Sequence, residues 1–412
     1  MNKNNLKKTL IIGLVWLVAS ITACVEEFET DSINFEKLLV VDANISDQAK
    51  AHEVRLTYTT PIDDDLVDQP SALSGATVWV EDDLGTRTNF TEAGLGTYYS
   101  PRNFAGQIGR SYALFITTPD GRNYQSDFES MSASPEITRV YNQFSIELGD
   151  GDDEATPGAQ FFIDVENASQ GSQFYRYEWT DAHQILVPTP KVYEAVRDNN
   201  GNYQIVPFDE DVSECYREGT FNELILATST NNNSGDLVEV PIKFSPASGF
   251  GVTTAYSIEV TQRAISAEAY SYYRKIELFN ESNGTLFDKQ QGTVIGNVKS
   301  VDFPDEKVLG YFEVSGAKSK RVFLQLSDFD QQMQDEIFRT CSEYGAMSTD
   351  QSIEAFYQAA DLPEELRGSA LARRSLYTLY DYFPSSGEKF FSHRDCNDCR
   401  RNGNLRKPDY WP

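Results

Sequence analysis

From residue 38 to about residue 130, apolar and polar residues alternate in short runs, each closed by Gly, Pro or Asp. A period of two sends one face of each run toward a core and the other toward water, which is the requirement of a half-buried strand. Strands are predicted at 38–45, 54–60, 76–81, 97–100, 111–117 and 122–128, with Pro119-Asp120-Gly121 supplying the turn between the last two. About six short strands in about 95 residues demand a β-sandwich. Further strands are expected at 139–147, 160–166, 174–180, 222–228, 238–244 and 255–261. Between His183 and Cys215, around Asn199-Asn200-Gly201-Asn202, the chain reads as an extended loop or hairpin. Composition agrees: 22 Tyr and 25 Phe against 4 Met suit pleated sheets better than helical bundles. The predicted fold class is therefore mainly β.

One helix stands out, near 266–281. Ser266 is placed to cap it, Glu268 suits its positive end, and Asn283-Gly284 ends it. Ile265, Ala269, Tyr272, Ile276 and Phe279 fall on one face, and Tyr270, Arg274, Lys275 and Glu277 on the other. It reads as a brace on one face of a sheet. A weaker helix is expected at 363–374, where Glu364 and Glu365 precede Arg373 and Arg374 in the order a helix dipole favours.

The amino terminus bears on location. Lys3, Lys7 and Lys8 precede an apolar run of ten residues, 10–19, which is too short for a stable membrane span of about 20 residues. The run ends Ser20-Ile21-Thr22-Ala23-Cys24, which resembles the lipobox of bacterial lipoproteins. That resemblance implies cleavage before Cys24 and acyl chains such as palmitate on its sulfur and amino group, enough buried methylenes for stable anchoring. With 35 Lys+Arg against 63 Asp+Glu the net charge is −28, and losing residues 1–23, with three lysines and no acid, makes it −31 on 389 residues. Such a chain repels phosphates, so nucleic acid is not an expected partner. Residues 24–36 form an acidic tether, Val25-Glu26-Glu27-Phe28-Glu29-Thr30-Asp31, which reads as a solvated spacer and resembles the surface-export signals of Bacteroidetes-type lipoproteins.

Two resemblances refine the domain plan. Residues 75–82, 94–99 and 109–116, containing Trp79, Tyr98-Tyr99 and Tyr112-Ala113-Leu114-Phe115, resemble immunoglobulin-like modules of the carboxypeptidase-regulatory type, which are structural or binding units. An N-terminal immunoglobulin-like sandwich is expected over 37–131, followed by a larger β-sandwich domain over 132–412. The strings at 261–270, 284–288, Gly296-Asn297-Val298 and 308–312, with the terminal Cys396-Asn397-Asp398-Cys399-Arg400 and 407–412, resemble the Bacteroidetes outer-membrane lipoproteins of domain of unknown function 4249. The resemblance implies an outer-membrane lipoprotein working beside a TonB-dependent receptor, and carries over no catalytic residue and no cofactor.

Candidates for chemistry are few. After Cys24, four cysteines are left, Cys215, Cys341, Cys396 and Cys399, an even number that points to two disulfides in an exported protein. Cys396 and Cys399 are expected to staple the C-terminal tail to Cys215 or Cys341, closing loops of over a hundred residues. Cys396 to Cys399 also has redox-motif spacing but lacks the strand-to-helix setting and sits thirteen residues from the end of the sequence, and His393, Cys396 and Cys399 have zinc-ligand spacing, against which an oxidising compartment argues. Acids at 150, 152 and 154 fall short of an EF-hand loop, so no metal is expected. His52, His183 and His393 lie far apart, no G-x-S-x-G elbow occurs, and Gly316-Ala317-Lys318-Ser319 lacks the first glycine of a P-loop. The aromatic strings at 174–179 and 377–383 alternate, so half of their rings are expected in the core whatever the other half contacts. The expected function is a non-enzymatic accessory or binding component serving a TonB-dependent receptor in nutrient uptake. The alternative is a structural or adhesive surface protein binding glycans or matrix.

Overall fold

The computed structural model describes residues 36–60, 71–148, 155–166, 168, 172–220, 223–230, 235–250, 253–281, 293–337, 341, 347–349, 353 and 376–412. The signal segment, Cys24, all of the tether but Glu36, the acidic loop at 149–154, the helix stop at Asn283-Gly284 and the helix expected at 363–374 lie outside the described residues.

Alternation becomes sheet as expected. In β1 (Leu39–Ser46), Leu39, Val41, Ala43 and Ile45 are buried while Asp42 faces solvent. β1 pairs with β2 (Glu53–Tyr58), which continues through β3 (Ser71–Ala72) and β6 (Thr97–Tyr99). Across the core lie β4 (Thr77–Asp82), β7 (Ser111–Thr117), β8 (Asn123–Ser126) and β9 (Glu129–Ser130). β5 (Arg87–Gly94) joins the two layers by pairing with both β4 and β6. One cluster that includes Leu39, Leu56, Val80, Tyr98, Leu114 and Ile116 fills the space between the layers.

The second sandwich sets β10 (Arg139–Glu147), β11 (Thr156–Val165) and β17 (Leu237–Pro246) against β15 (Glu214–Thr220), β16 (Ile225–Thr228), β12 (Phe174–Leu186) and β18 (Thr253–Ile265). Phe161, Ile163, Tyr175, Tyr177, Ile258 and Val260 form its core, closed at one end by Phe250 of the short helix α1 (Ala247–Phe250) and by Phe329. The loop between His183 and Cys215 is the hairpin of β13 (Tyr193–Arg197) and β14 (Tyr203–Pro207), turned at Gly201 with φ 86°.

The expected contiguous boundary at 131 is not how the chain distributes itself. β19 (Val298–Ser300) pairs with β8, and β20 (Val308–Gln325) runs through both sandwiches. Its first half lies parallel to β1, from Leu39 opposite Val308 to Ser46 opposite Ser315, and its second half antiparallel to β18, from Gly316 to Gln325. At Gly310, φ is 92° and a Cβ would stand 1.8 Å from the Val41 carbonyl oxygen, so only glycine fits there. At the changeover, the Gly316 amide donates to Ser132 O at 3.0 Å, where the linker crosses.

The prominent helix is α2 (Ala267–Glu281), with Ser266 Oγ accepting from the Ala269 amide at 3.0 Å as its cap. Ala269 is buried as expected, but the assigned faces need correction. Tyr270, placed outward by periodicity, is half-buried with its ring 4.9 Å from Phe174, whereas Phe279, placed inward, is half exposed. A third helix, α3 (Gln331–Ile337), buries Met333 and Ile337 in the second core. Three further strands, β21 (Met347–Thr349), β22 (Tyr377–Phe383) and β23 (Glu388–His393), form a small sheet. Two disulfides fix the tail, Cys215–Cys399 over 184 residues and Cys341–Cys396 over 55. The second loop is shorter than the expected hundred residues, because Cys341 follows α3 late in the chain.

Candidate functional site

α2 lies where the two sandwiches meet, and two constellations gather beneath it. The first is ionic. Arg176 of β12 and Arg263 of β18 stand directly opposite in register, on the sheet face turned away from the second core. Two adjacent guanidinium groups repel unless acids intervene, and Glu178 and Glu313 supply them. Arg176 holds Glu313 through Nε at 2.7 Å and Nη2 at 3.2 Å, and contacts Glu178 at 2.9 Å. Arg263 reaches Glu178 at 3.0 Å and Glu313 at 3.9 Å. Ser315 Oγ donates to Glu313 at 3.1 Å, and the Tyr273 ring of α2 lies 5.3 Å from the Arg176 guanidinium. Burial works to raise both carboxyl pKa values, but the two arginines outweigh it, bringing Glu178 down to about 2 and holding Glu313 below its ordinary range. The cluster pins α2 to the through-going strand.

The second constellation is a cleft of about 760 Å³ between the first turns of α2 and the first sandwich. α2 supplies Glu268, Ser271, Tyr272 and Lys275; the first sandwich supplies Asp127, Phe128, Glu129 and Ser130; the segment 295–297 and Tyr311 close the floor. Glu129 is buried and accepts hydrogen bonds from the Tyr311 hydroxyl and from Asn297 Nδ2 at 3.3 Å. Asn297 in turn clamps Phe312, accepting from its amide and donating to its carbonyl, both at 2.9 Å. Gly296 permits this, since a Cβ there would stand 1.6 Å from Gly310 O. Three carboxylates, one ammonium, several hydroxyls and the faces of Phe128 and Tyr272 suit a polar, hydroxyl- or amine-bearing ligand. Among the described residues, the lining includes no histidine or cysteine.

The residues singled out in the sequence lie elsewhere. His183 sits in the second core, with Nδ1 3.1 Å from Thr253 Oγ1 and Nε2 3.6 Å from Asp181. Asp181 also accepts from Lys243 and from the Tyr256 hydroxyl, at 2.9 Å for the latter. Burial opposes the Asp181 charge, yet His183 and Lys243 together hold its pKa below the usual carboxylate range; burial lowers that of His183. The row has the order of a hydroxyl nucleophile, base and acid, but Asp181, His183 and Thr253 are all at most 5% exposed, so it bonds strands together within the core. His52 is buried in the first sandwich, with Nε2 3.1 Å from Gln48 O. His393 Nδ1 caps a turn by accepting from the Asp395 amide at 3.3 Å, and the sulfurs of Cys396 and Cys399 are engaged in S–S bonds, which removes them as zinc or redox ligands in this state. Gly316-Ala317-Lys318-Ser319 runs inside β20. Of the aromatic strings, Tyr175, Tyr177, Tyr377 and Leu379 are core, and Phe383 is half exposed.

Fold and site together define a mainly β protein of two sandwiches joined by a shared strand, with a polar cleft beneath a bracing helix. Residues 25–321 match the family model described as domain of unknown function 4249, and the chain belongs to that family. No curated protein matches the sequence. Among solved structures, a domain of unknown function 4785 family protein from Legionella pneumophila is similar over 50% of this chain at 10% identity, with a TM-score of 0.17. The match spans 56% of that protein's solved chain and, at that score, identifies no common fold.

Proposed function

We propose that this chain is an outer-membrane lipoprotein, held by acyl chains on Cys24 and displayed at the cell surface. It acts there as a non-catalytic accessory or binding component of a TonB-dependent receptor in nutrient uptake, with the cleft beneath α2 as its ligand site. The observation that carries the reading is the order of the N-terminal sequence: basic residues, a ten-residue apolar run, Ser20-Ile21-Thr22-Ala23-Cys24, then an acidic spacer that ends where β1 begins. A spacer of twelve residues beyond the lipid leaves the folded part free to stand beside a membrane partner. The cleft supports binding, because its carboxylates, the Lys275 ammonium, the hydroxyls and the rings of Phe128 and Tyr272 can hold a polar ligand, while Glu129 and Ser266 are already engaged in the fold.

The reading is tested by the mass of the N-terminal peptide from native membranes and by protease treatment of intact cells. A peptide beginning at an acylated Cys24, and digestion of the folded part without lysis, are the expected results. An unmodified Cys24, or protection until the cells are broken, contradicts the anchor or its display respectively. A glycan- or matrix-binding adhesin would pass both tests and yet be recovered without any receptor.

A further inference from the structure

The chain enters its first sandwich at one end, and that end carries a fringe of exposed apolar side chains. Residue 36 leads into β1, and the Leu38 amide is bonded to Thr59 Oγ1 at 2.9 Å. Leu39 at this entry pairs with Val308, into which the turn at 300–307 leads, and Arg122 Nη1 donates to Glu306 at 3.2 Å, so the turns at 118–122 and 300–307 lie at the same end. Val301 is tied to that place by its amide, which donates a hydrogen bond to Asn123 O at 2.8 Å, and Phe303 by the Arg122 guanidinium 5.6 Å from its ring. Val301 and Phe303 are 56% and 54% exposed. The C-terminal half of α2 reaches the same end, where Ile276, Val40 and Leu309 line an apolar groove of about 460 Å³. Ile295, bridged to Leu309, and Leu278 on the last turn are 50% and 44% exposed.

Resting on the lipid-anchor reading above, we infer that this end is the membrane-facing end of the protein, and that Val301, Phe303, Ile295 and Leu278 rest in the interfacial layer of the bilayer that holds Cys24. Geometry selects that occupant. The twelve residues 24–35 span at most about 40 Å when extended, which caps the distance of the entry end from the lipid, while the far end lies a further strand length away. Half-exposed aliphatic and aromatic side chains at that position gain by burial among headgroups and upper acyl chains. Charge is not the attraction. The cations Lys37, Arg122 and Lys307 are outnumbered by Glu36, Asp120, Asp302, Asp305 and Glu306, and Arg122 is already paired with Asp120 and Glu306, each at 3.2 Å. Contact is therefore expected with zwitterionic lipid and to be insensitive to salt.

The test uses the full acylated chain in phosphatidylcholine vesicles, with an environment-sensitive fluorophore on Phe303→Cys, on Val301→Cys, or on Leu84→Cys. Leu84 is 77% exposed in the turn after β4, at the opposite end of the sandwich. Lipids brominated high on the acyl chain are expected to quench most of the emission at 303 and 301 and to leave that at 84 unchanged, at low and at high salt. Equal quenching at all three sites, or quenching at 84 alone, overturns the inference. So does a 303 probe shielded from aqueous iodide but untouched by brominated lipid, which would mark a protein partner or a second copy on this face. A chain that lacks the acyl mass overturns the anchor reading and the inference with it; an acylated chain with unquenched probes overturns the inference alone.

Discussion

Replacing Glu313 by Gln tests how the junction is held. Glu313 is 1% exposed and faces two guanidinium groups that, among the described residues, are otherwise ion-paired with Glu178. With Glu313 ionised, two positive charges meet two negative ones; with Gln, one positive charge is left uncompensated away from water. Removing one partner of a buried pair costs about 3–5 kcal/mol, and since the amide can still accept from Arg176 and Ser315 the lower end applies, about 3 kcal/mol. At a urea m-value of about 2 kcal/mol/M this lowers the midpoint by about 1.5 M. Urea unfolding read by circular dichroism and by tryptophan fluorescence measures it, with coincident transitions as the condition for a single free energy. The penalty has a pH signature. Because the folded pKa of Glu313 is depressed, its stabilisation is complete above the unfolded value, near 4.5, and is lost as pH falls through the folded value, so wild type and E313Q should converge in acid. The double variant R176M/E313L, which leaves Arg263 and Glu178 as a neutral pair, should lose less than E313Q alone. A loss under about 1 kcal/mol for E313Q at neutral pH, or the same loss at neutral pH and in acid, would refute the idea that an ionic cluster holds this junction.

Further outcomes follow from other contacts. Removing Cys215–Cys399 by paired Ala substitution frees a loop of 184 residues and removing Cys341–Cys396 one of 55, so in the chain-entropy model the first costs about 5 kcal/mol and the second about 4; equal midpoints, or the reverse order, would contradict that account. Burial and then Lys50 hold the His52 pKa down to about 4, so the unfolded chain takes up a proton first. Stability is therefore complete above pH 6.5 and falls by up to about 3 kcal/mol toward pH 4, and H52F should flatten a calorimetric melting profile in that window, leaving the His183 contribution and the carboxylate effects at lower pH. Gly310→Ala places a Cβ against Val41 O at a positive φ and should cost about 3 kcal/mol or more, measured as a loss of urea midpoint; a neutral effect would mean β1 and β20 do not approach this closely.

What the sequence revealed depends on how local each feature is. β1, β4, β7 and β12 announce themselves by alternation because one face of each is core. β5 does not, since Phe90 is its one buried residue. β20 is harder still: Gly310 and Gly316 interrupt its pattern, and its change of partner from β1 to β18 is a tertiary event with no local signature. The cleft joins Glu129 to Asn297 and Tyr311 across separations of 168 and 182 residues, so nothing near any one of them foretold the others. The ionic cluster did leave a trace, for Arg176 stands between Tyr175 and Tyr177 and Arg263 directly precedes Ala264-Ile265, and a charge in such a buried position must find a partner. Histidines drew attention for their chemistry, yet His52 and His183 are buried hydrogen-bonding groups, as most polar side chains inside a sandwich must be. Disulfide pairing followed the expected tail-to-body plan, while the loop lengths depended on where the fold brings Cys341.

The central claim is that this chain serves a membrane receptor from a lipid anchor. Extraction of native membranes in mild detergent, followed by capture of the chain and mass spectrometry of what accompanies it, is the most direct test. The account predicts a TonB-dependent receptor in near-stoichiometric amount, retained through moderate salt. Recovery of the acylated chain alone, in several detergents and at low and moderate salt, would contradict it.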